Sequence, residues 1–373
     1  MIIAVNTRFL FADNTADSYN FIFDCFSRLA EKYPQHQFIY IFDGPFEKKY
    51  ITAENITGVT AGPPLLWKYW YNYKVPALLK KNKADVLVSA GGISSLRTNI
   101  PQCLVIPDLS FLYTPQFLPK RQSRLFKASM PKFLLKAKNI VTLSAFSRSA
   151  VIEKYKTAEE KINVVYPGVS EIFKPIPDRV KEMIRGKYTV GKEYFLYAGA
   201  VHPSKNLVNL LKAFSFFKKR QKSNMQLLIA GPVHGYYSSF TDGLKTFKFR
   251  DEVKLLGLLP PEELAEITAA AYAFVYPSLY EDFALPPLQA MQCGVPVIVS
   301  NTGALPEICG DSALYANPSD FNDIAEKMML LFKDENKKKE LEKKGMIRAQ
   351  EFSLDKAADL LWNSVLKCAG HAN

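Results

Sequence analysis

The sequence predicts an α/β protein made of two open, parallel-sheet domains in tandem. Strand-like apolar runs alternate with helical patterns along the whole chain. The alternation breaks once, over 169–187 around Pro175 and Pro177, and then restarts. A length of 373 residues accommodates two domains of ordinary size, each with a buried core.

In the first half, Ile2–Asn6, Gln37–Asp43, Val86–Ser89, Cys103–Ile106, Ile140–Leu143 and Ile162–Tyr166 read as strands. Helical patterns occupy 17–32, 65–82, 120–136 and 145–156. The second half opens on Tyr194–Gly199, followed by a helix from Asn206 that carries Leu207, Leu210, Leu211, Phe214 and Phe217 on one face. Further strands are Gln226–Ala230, Val253–Leu256, Ala273–Pro277 and Pro296–Ser300, and the tail is helical. These runs give a first domain over 1–170, a linker over 171–192, a second domain over 193–355 and a terminal helix over 356–373. Open parallel sheets take ligands in the crevice outside the carboxyl ends of their strands. Two facing crevices would form an interdomain cleft.

Hydrophobic residues make up 48% and charged residues 23%, the balance of a globular protein rather than a disordered or membrane-spanning one. No run approaches the roughly 20 apolar residues that a bilayer requires. The first residues enter a strand-like run without the marks of a secretory signal. Cys25, Cys103, Cys293, Cys309 and Cys368 are scattered, as reduced thiols of a cytoplasmic protein would be. A net charge of +12 favours phosphorylated ligands, nucleic acid or an anionic membrane surface. No nucleic-acid motif accompanies the charge. Part of the excess is local: Lys120, Arg121, Arg124, Lys127, Lys132, Lys136 and Lys138 follow one another without an acid. Such a run is either a solvated helix face or a peripheral contact with anionic lipid at the inner face of a membrane. The aromatics of 65–74 fit a helix packed on the sheet, or an acceptor or membrane contact.

The most informative segment is Tyr276–Ser300, YPSLYEDFALPPLQAMQCGVPVIVS. A buried strand ends, a short loop follows, and a helix begins near Pro287, where proline suits a first turn. Gly294 and Pro296 stop that helix before the next buried strand. Free amides at Ala284, Leu285 and Leu288 would then form an anion site suited to a diphosphate.

This segment resembles the group 1 (family 4) retaining glycosyltransferases, whose hallmark reads E-G-F-G-L-P, a second Glu, then A-M-x-x-G-x-P-V-I. Glu281, Phe283, Leu285, Pro286, Ala290, Met291, Gly294, Pro296, Val297 and Ile298 match it without a gap. Tyr197–Leu207 resembles the family's glycine loop ending in K-N-L. Thr142–Ser147, Val164–Val169 and Asn301–Gly310 resemble its flanking motifs. The opening AVNTRFL and the Trp67–Lys80 helix are similar to a bacterial mannosyltransferase-like subgroup. The resemblance implies the GT-B fold, two Rossmann-like domains facing across a cleft, with the C-terminal helix crossing back to the first domain.

It also implies transfer of a hexose from a UDP- or GDP-linked sugar to a sugar, glycan or glycolipid hydroxyl, with retention, in polysaccharide or glycoconjugate synthesis. Neither a cofactor nor a metal is implied. Lys205 falls on the phosphate-binding lysine and Glu281 on the carboxylate that holds the sugar. Gly199, Asn206, Phe283, Ala284, Leu285 and Gln289 fall on donor-binding positions, and Gly257 and Leu258 at the base edge. Asp108, Ser18, Gly91, Gly92 and His202 are further candidates at the cleft. The sequence departs from the family pattern at Pro107, usually His, and at Ala16–Tyr19, usually a glycine loop. It departs again at Ser204, usually Arg, and at Gln289, the second-Glu position. An active transferase therefore stands beside a noncatalytic relative that binds a sugar nucleotide or a partner transferase, and beside another GT-B chemistry such as epimerisation or phosphorolysis.

Overall fold

A computed structural model describes residues 1–7, 17–63, 66–233 and 238–371. The chain forms two compact units, one of Met1–Gly168 with Leu354–Asn373 and one of Val169–Ser353.

The first unit holds β1 (Ile2–Asn6), β2 (Gln37–Phe42), β3 (Ile56–Thr60), β4 (Val86–Ser89), β5 (Gln102–Ile106), β6 (Asn139–Thr142) and β7 (Ile162–Val164). All pair in parallel, in the order β3-β2-β1-β4-β5-β6-β7. The central strands are apolar and buried at nearly every position, as expected of a parallel sheet covered on both faces. Helix Asp17–Lys32 buries Phe21, Ile22, Cys25, Phe26 and Leu29, spaced to form one face. Against it lies the C-terminal helix Leu354–Ala369, which returns to the first unit as expected. Trp362 stacks on Tyr33 with centroids 4.6 Å apart, and Asp355 and Asp359 pair with Arg28 and Lys32 at 2.8 and 2.5 Å.

The 65–74 aromatics divide between the two explanations. Trp70 and Tyr71 are core residues, whereas Leu66, Tyr69 and Tyr73 are exposed. Between the helical segments Trp67–Tyr69 and Val75–Lys81 lies one π-helical turn, Trp70–Lys74, which the sequence did not announce.

Two helices rich in lysine behave differently. On Glu335–Ala349, acids spaced three or four residues away pair Lys337, Lys338 and Lys344. On Lys120–Lys136, Lys120, Arg121, Arg124, Lys127 and Lys132 are exposed, and none has an ion-pair partner among the described residues. Leu135, near the end of that helix, is 84% exposed.

In the second unit β8 (Tyr194–Ala198), β9 (Gln226–Ala230), β10 (Val253–Gly257), β11 (Ala273–Tyr276), β12 (Val297–Ser300) and β13 (Ala313–Ala316) are again all parallel. Their order, β10-β9-β8-β11-β12-β13, reverses direction between β8 and β11. A crevice opens at such a reversal, because the chain leaves the two central strands toward opposite sides. Helix Leu207–Gln221 buries the face foreseen from its apolar spacing. The stretch expected as a linker contains helix Asp178–Thr189. Pro177 directly precedes its first turn, so that proline opens a helix where the sequence suggested a break. Among the described residues no helix is long and apolar enough to cross a membrane.

Candidate functional site

The reversal in the second sheet gathers three loops. The first leaves β8 through Gly199 and ends in the turn Pro203–Lys205. The second leaves β11 and runs from Pro277 to Ala284. The third leaves β12 and runs from Asn301 to Ala304.

Hydrogen bonds brace the middle loop from both sides. Leu279 N–H donates to Ser204 O at 2.9 Å, and Asn206 Nδ2 donates to Pro277 O and Pro318 O at 3.0 and 2.7 Å. On the other side Ala304 N–H donates to Glu281 O at 2.9 Å, and Thr302 Oγ1 donates to Leu279 O at 3.3 Å. A side chain at Gly303 would place its Cβ 2.6 Å from Glu281 O.

Lys205 Nζ lies 2.5 Å from Glu281 Oε1 and 3.3 Å from Tyr276 Oη. The lysine side chain is 20% exposed and the carboxylate 9%, so the pair is largely shielded from water. Tyr276 in turn stacks on Tyr197 at 5.6 Å and 11°. The ammonium is 5.6 Å from the Tyr276 ring centre, so it sits nearer the phenol oxygen than the ring face.

Helix Leu285–Gln292 starts four residues beyond Glu281 with Ala284 as its N-cap. Leu288 is not a free donor, contrary to expectation. Its amide closes the first helical turn onto the Ala284 carbonyl, as the fourth residue after an N-cap does. Pro286 and Pro287 have no amide hydrogen. Ala284 and Leu285 keep theirs, and among the described residues neither amide meets an acceptor. Both residues are buried, and unpaired amides in buried residues mark a place for an external acceptor.

Other candidates divide. Gln289 is half-buried, and among the described residues its side chain has no hydrogen-bond partner. Phe283 packs on Phe352 with centroids 6.1 Å apart. Gly199 follows β8 and donates its N–H to Ala230 O. Gly257 O accepts from Gly231 N–H at 2.7 Å, while Leu258 is 70% exposed at the end of β10. Asn206 corrects its assignment to the donor: both its amide hydrogens are spent on Pro277 O and Pro318 O, so it fastens the loop instead. His202 also has a local task, its Nδ1 accepting from Ser204 N–H at 3.3 Å to cap the turn that carries Lys205.

In the first unit both Asp108 oxygens accept from Ser110, its N–H and its hydroxyl, at 2.7 Å each, so Asp108 closes a local turn just ahead of helix Ser110–Tyr113, whose N-cap is Leu109. Gly91 and Gly92 form the turn after β4, where Gly92 N–H donates to Val105 O. Ala16 lies outside the described residues, and only the backbone of Ser18 is described, in the first turn of helix Asp17–Lys32.

Sequence reasoning passed over Tyr276, read only as a strand end, and Asp282. The Asp282 carboxylate is buried and accepts from Tyr280 Oη at 2.8 Å. All five cysteines are free and buried. Burial pushes the thiols of Cys293, Cys309 and Cys368 up to about 12, so they stay protonated near neutral pH. Removing the Asn206 side chain to Cβ leaves Pro277 O without its side-chain donor, while Pro318 O keeps one from Asn209 Nδ2 at 3.0 Å. Asn206→Ala is therefore expected to cost about 1–2 kcal/mol in denaturant unfolding.

Residues 180–348 match the model of glycosyl transferases group 1, and residues 27–171 that of Glycosyltransferase Family 4. The O-antigen chain mannosyltransferase B of Escherichia coli is 33% identical over 248 residues, 66% of this chain and 65% of that protein. The O-antigen chain mannosyltransferase RfbU of Salmonella typhimurium is 30% identical over 280 residues, 72% of each chain. The match thus spans just under two thirds of the Escherichia coli protein. Among solved structures, Anabaena HepE in complex with UDP and glucose superposes with a TM-score of 0.77 at 15% identity, covering 97% of this chain and 98% of that one. WaaG, a glycosyltransferase involved in lipopolysaccharide biosynthesis, gives 0.78 at 14%, covering 98% and 99%. The two sheets and these neighbours establish the GT-B fold, and the chain belongs to the group 1, family 4 glycosyltransferases.

Proposed function

We propose that this glycosyltransferase moves a hexosyl group from a UDP- or GDP-linked sugar to an acceptor hydroxyl with retention at the anomeric carbon. One observation carries the reading: two unpaired amides, Ala284 and Leu285, follow closely on the Lys205–Glu281 pair at the switch point of the second sheet. Oriented N–H donors with a neighbouring ammonium suit the charge that develops on a departing diphosphate. The bond from the anomeric carbon to the phosphate oxygen breaks, and one to the acceptor oxygen forms on the same face. A phosphate oxygen takes the acceptor's proton, so the protein supplies no base and no metal is needed. Glu281 accepts hydrogen bonds from hydroxyls of the transferred sugar, and Gln289 from the ribose.

A screen of melting temperature against nucleoside diphosphates and sugar nucleotides tests this, because a ligand selective for the folded state raises the transition by mass action. Absence of a rise with every nucleotide would refute it. A noncatalytic relative is the second reading, favoured by the buried Pro107 and by Asp108, which is spent on Ser110. Binding of a sugar nucleotide without release of nucleoside diphosphate would select that reading.

The named relatives act in O-antigen chains, which supports a glycan or glycolipid acceptor for cell-surface polysaccharide. Reduced, buried thiols support a cytoplasmic site of action. The unpaired basic face of Lys120–Lys136, with exposed Leu135, supports a peripheral contact with anionic lipid. Replacing Lys120, Arg124 and Lys127 together by Glu is expected to abolish co-sedimentation with phosphatidylglycerol vesicles while leaving nucleotide affinity unchanged. Retained sedimentation would make that helix an ordinary solvated face.

A further inference from the structure

We propose that Glu281 competes internally for Lys205, so that the site holds an intact nucleotide sugar but weakens its grip on the nucleoside diphosphate left after transfer. This rests on reading Lys205 as the diphosphate contact.

In the ligand-free protein the ammonium is already neutralised, 2.5 Å from Glu281 Oε1. A diphosphate oxygen reaching for Lys205 must take it from that carboxylate. Glu281 cannot answer by turning freely into water. It is 9% exposed, and its backbone is fixed by Ala304 N–H and by the close approach of Gly303. Lys205 is equally constrained, through Tyr276 Oη at 3.3 Å and the Tyr197–Tyr276 stack beneath. Neither partner can move far, so a bare diphosphate leaves a shielded carboxylate beside its own negative charge.

An intact donor differs in one respect. The sugar attached to the diphosphate brings hydroxyl groups, which donate to Glu281 and replace the hydrogen bond given up by the ammonium. The two halves of the ion pair are then satisfied by the two halves of one ligand. Once the sugar has been transferred those hydroxyls leave, the carboxylate regains Lys205, and the diphosphate is loosened. Glu281 thus selects a filled donor over an empty one and assists product release, a step that often limits turnover.

The test compares calorimetric affinities for GDP and GDP-mannose, and for UDP and UDP-glucose, in the wild type, Glu281→Gln, Glu281→Ala and Lys205→Ala. Removing the carboxylate's charge frees Lys205, so both Glu281 variants are expected to bind the preferred diphosphate about tenfold more tightly. Affinity for the corresponding sugar nucleotide should stay level or fall. A diphosphate affinity that does not rise in either Glu281 variant overturns the proposal, while loss of binding in Lys205→Ala would leave the phosphate assignment standing. Unchanged binding in Lys205→Ala, or a wild type that binds none of the four nucleotides, overturns both. Because Glu281→Gln preserves the side chain's volume and Glu281→Ala removes it, a folding defect confined to one variant does not obscure the sign.

Discussion

Lys205→Ala is expected to lower sugar transfer by about 100-fold or more and to erase the rise in melting temperature produced by a nucleoside diphosphate. The ammonium is held in the Tyr276–Glu281 corner by contacts from both residues. A charge-assisted hydrogen bond to phosphate contributes about 1.5–3 kcal/mol in the ground state. Its loss grows where charge accumulates on the leaving group, and removal of a single such donor typically lowers turnover by about 100- to 1,000-fold. The substitution has a second effect that must be separated from the first. It strands the Glu281 carboxylate in a largely shielded site, and breaking a buried pair from one side costs about 3–5 kcal/mol. The ligand-free variant should therefore melt lower. The double variant Lys205→Ala with Glu281→Gln should recover part of that stability without recovering the nucleotide response. A nucleotide response of wild-type size in Lys205→Ala would remove Lys205 from the phosphate site.

The largest effect on stability is expected from Gly231→Ala. A Cβ at that position would lie 1.9 Å from Gly199 O and 2.6 Å from Gly199 C, well inside any tolerable contact. Gly231 has a φ of +137°, a region that side chains rarely enter. Nor can it retreat without cost, because its N–H donates to Gly257 O at 2.7 Å. The carboxyl ends of β8, β9 and β10 thus meet at Gly231, whose N–H binds Gly257 O and whose missing side chain leaves room for Gly199 O. A loss of about 3 kcal/mol or more follows from displaced backbone and a broken hydrogen bond. In a unit of this size that corresponds to a melting temperature lower by about 6–12 °C. Gly186→Ala is the control of opposite sign. Gly186 lies within helix Asp178–Thr189 with open space around its Cβ position, so alanine there should stabilise by up to about 1 kcal/mol. Equal melting of Gly231→Ala and the wild type would show that the two loops do not approach so closely.

Legibility in the sequence followed the strength of each local signal. Helices Asp17–Lys32 and Lys120–Lys136 agree with the sequence at both ends, because apolar spacing or proline and charge punctuation bounds them. Strand β3 escaped notice. It is an edge strand, half exposed, and its Gly58 yields its side-chain space to the Phe46 ring, which would stand 2.3 Å from a Cβ there. Strand β13 is four residues long and too brief to show a period. Helix Asp178–Thr189 was hidden by its polarity, since it buries only Ile184 and Thr189.

At the site the order of residues was readable, but the division of labour was not. Motif matching brought Lys205 and Glu281 into one assignment, and the fold puts them in contact. It could not tell that Asn206 fastens a loop, because an amide side chain serves a ligand or a carbonyl equally well. Tyr276 was missed for a related reason: its ring belongs to the core by pattern, and only its hydroxyl reaches the lysine. The loss of Leu288 as a free donor follows from where the helix begins, and sequence gives that boundary only to within a residue or two.

The return of Leu354–Ala369 to the first unit bears on how the protein is made. Leu361, Trp362, Val365 and Cys368 are buried within a unit whose strands are all complete by residue 164. A ribosome adding about 5–20 residues per second releases β1 to β7 well before it reaches that helix. During the interval Tyr33 and Phe38 lack the indole that later covers them. The second unit, in contrast, is contiguous from 169 to 353 and can close first, although it is synthesised later. Released chains truncated after Ser353 should therefore expose an incompletely covered first unit while holding every residue of the second.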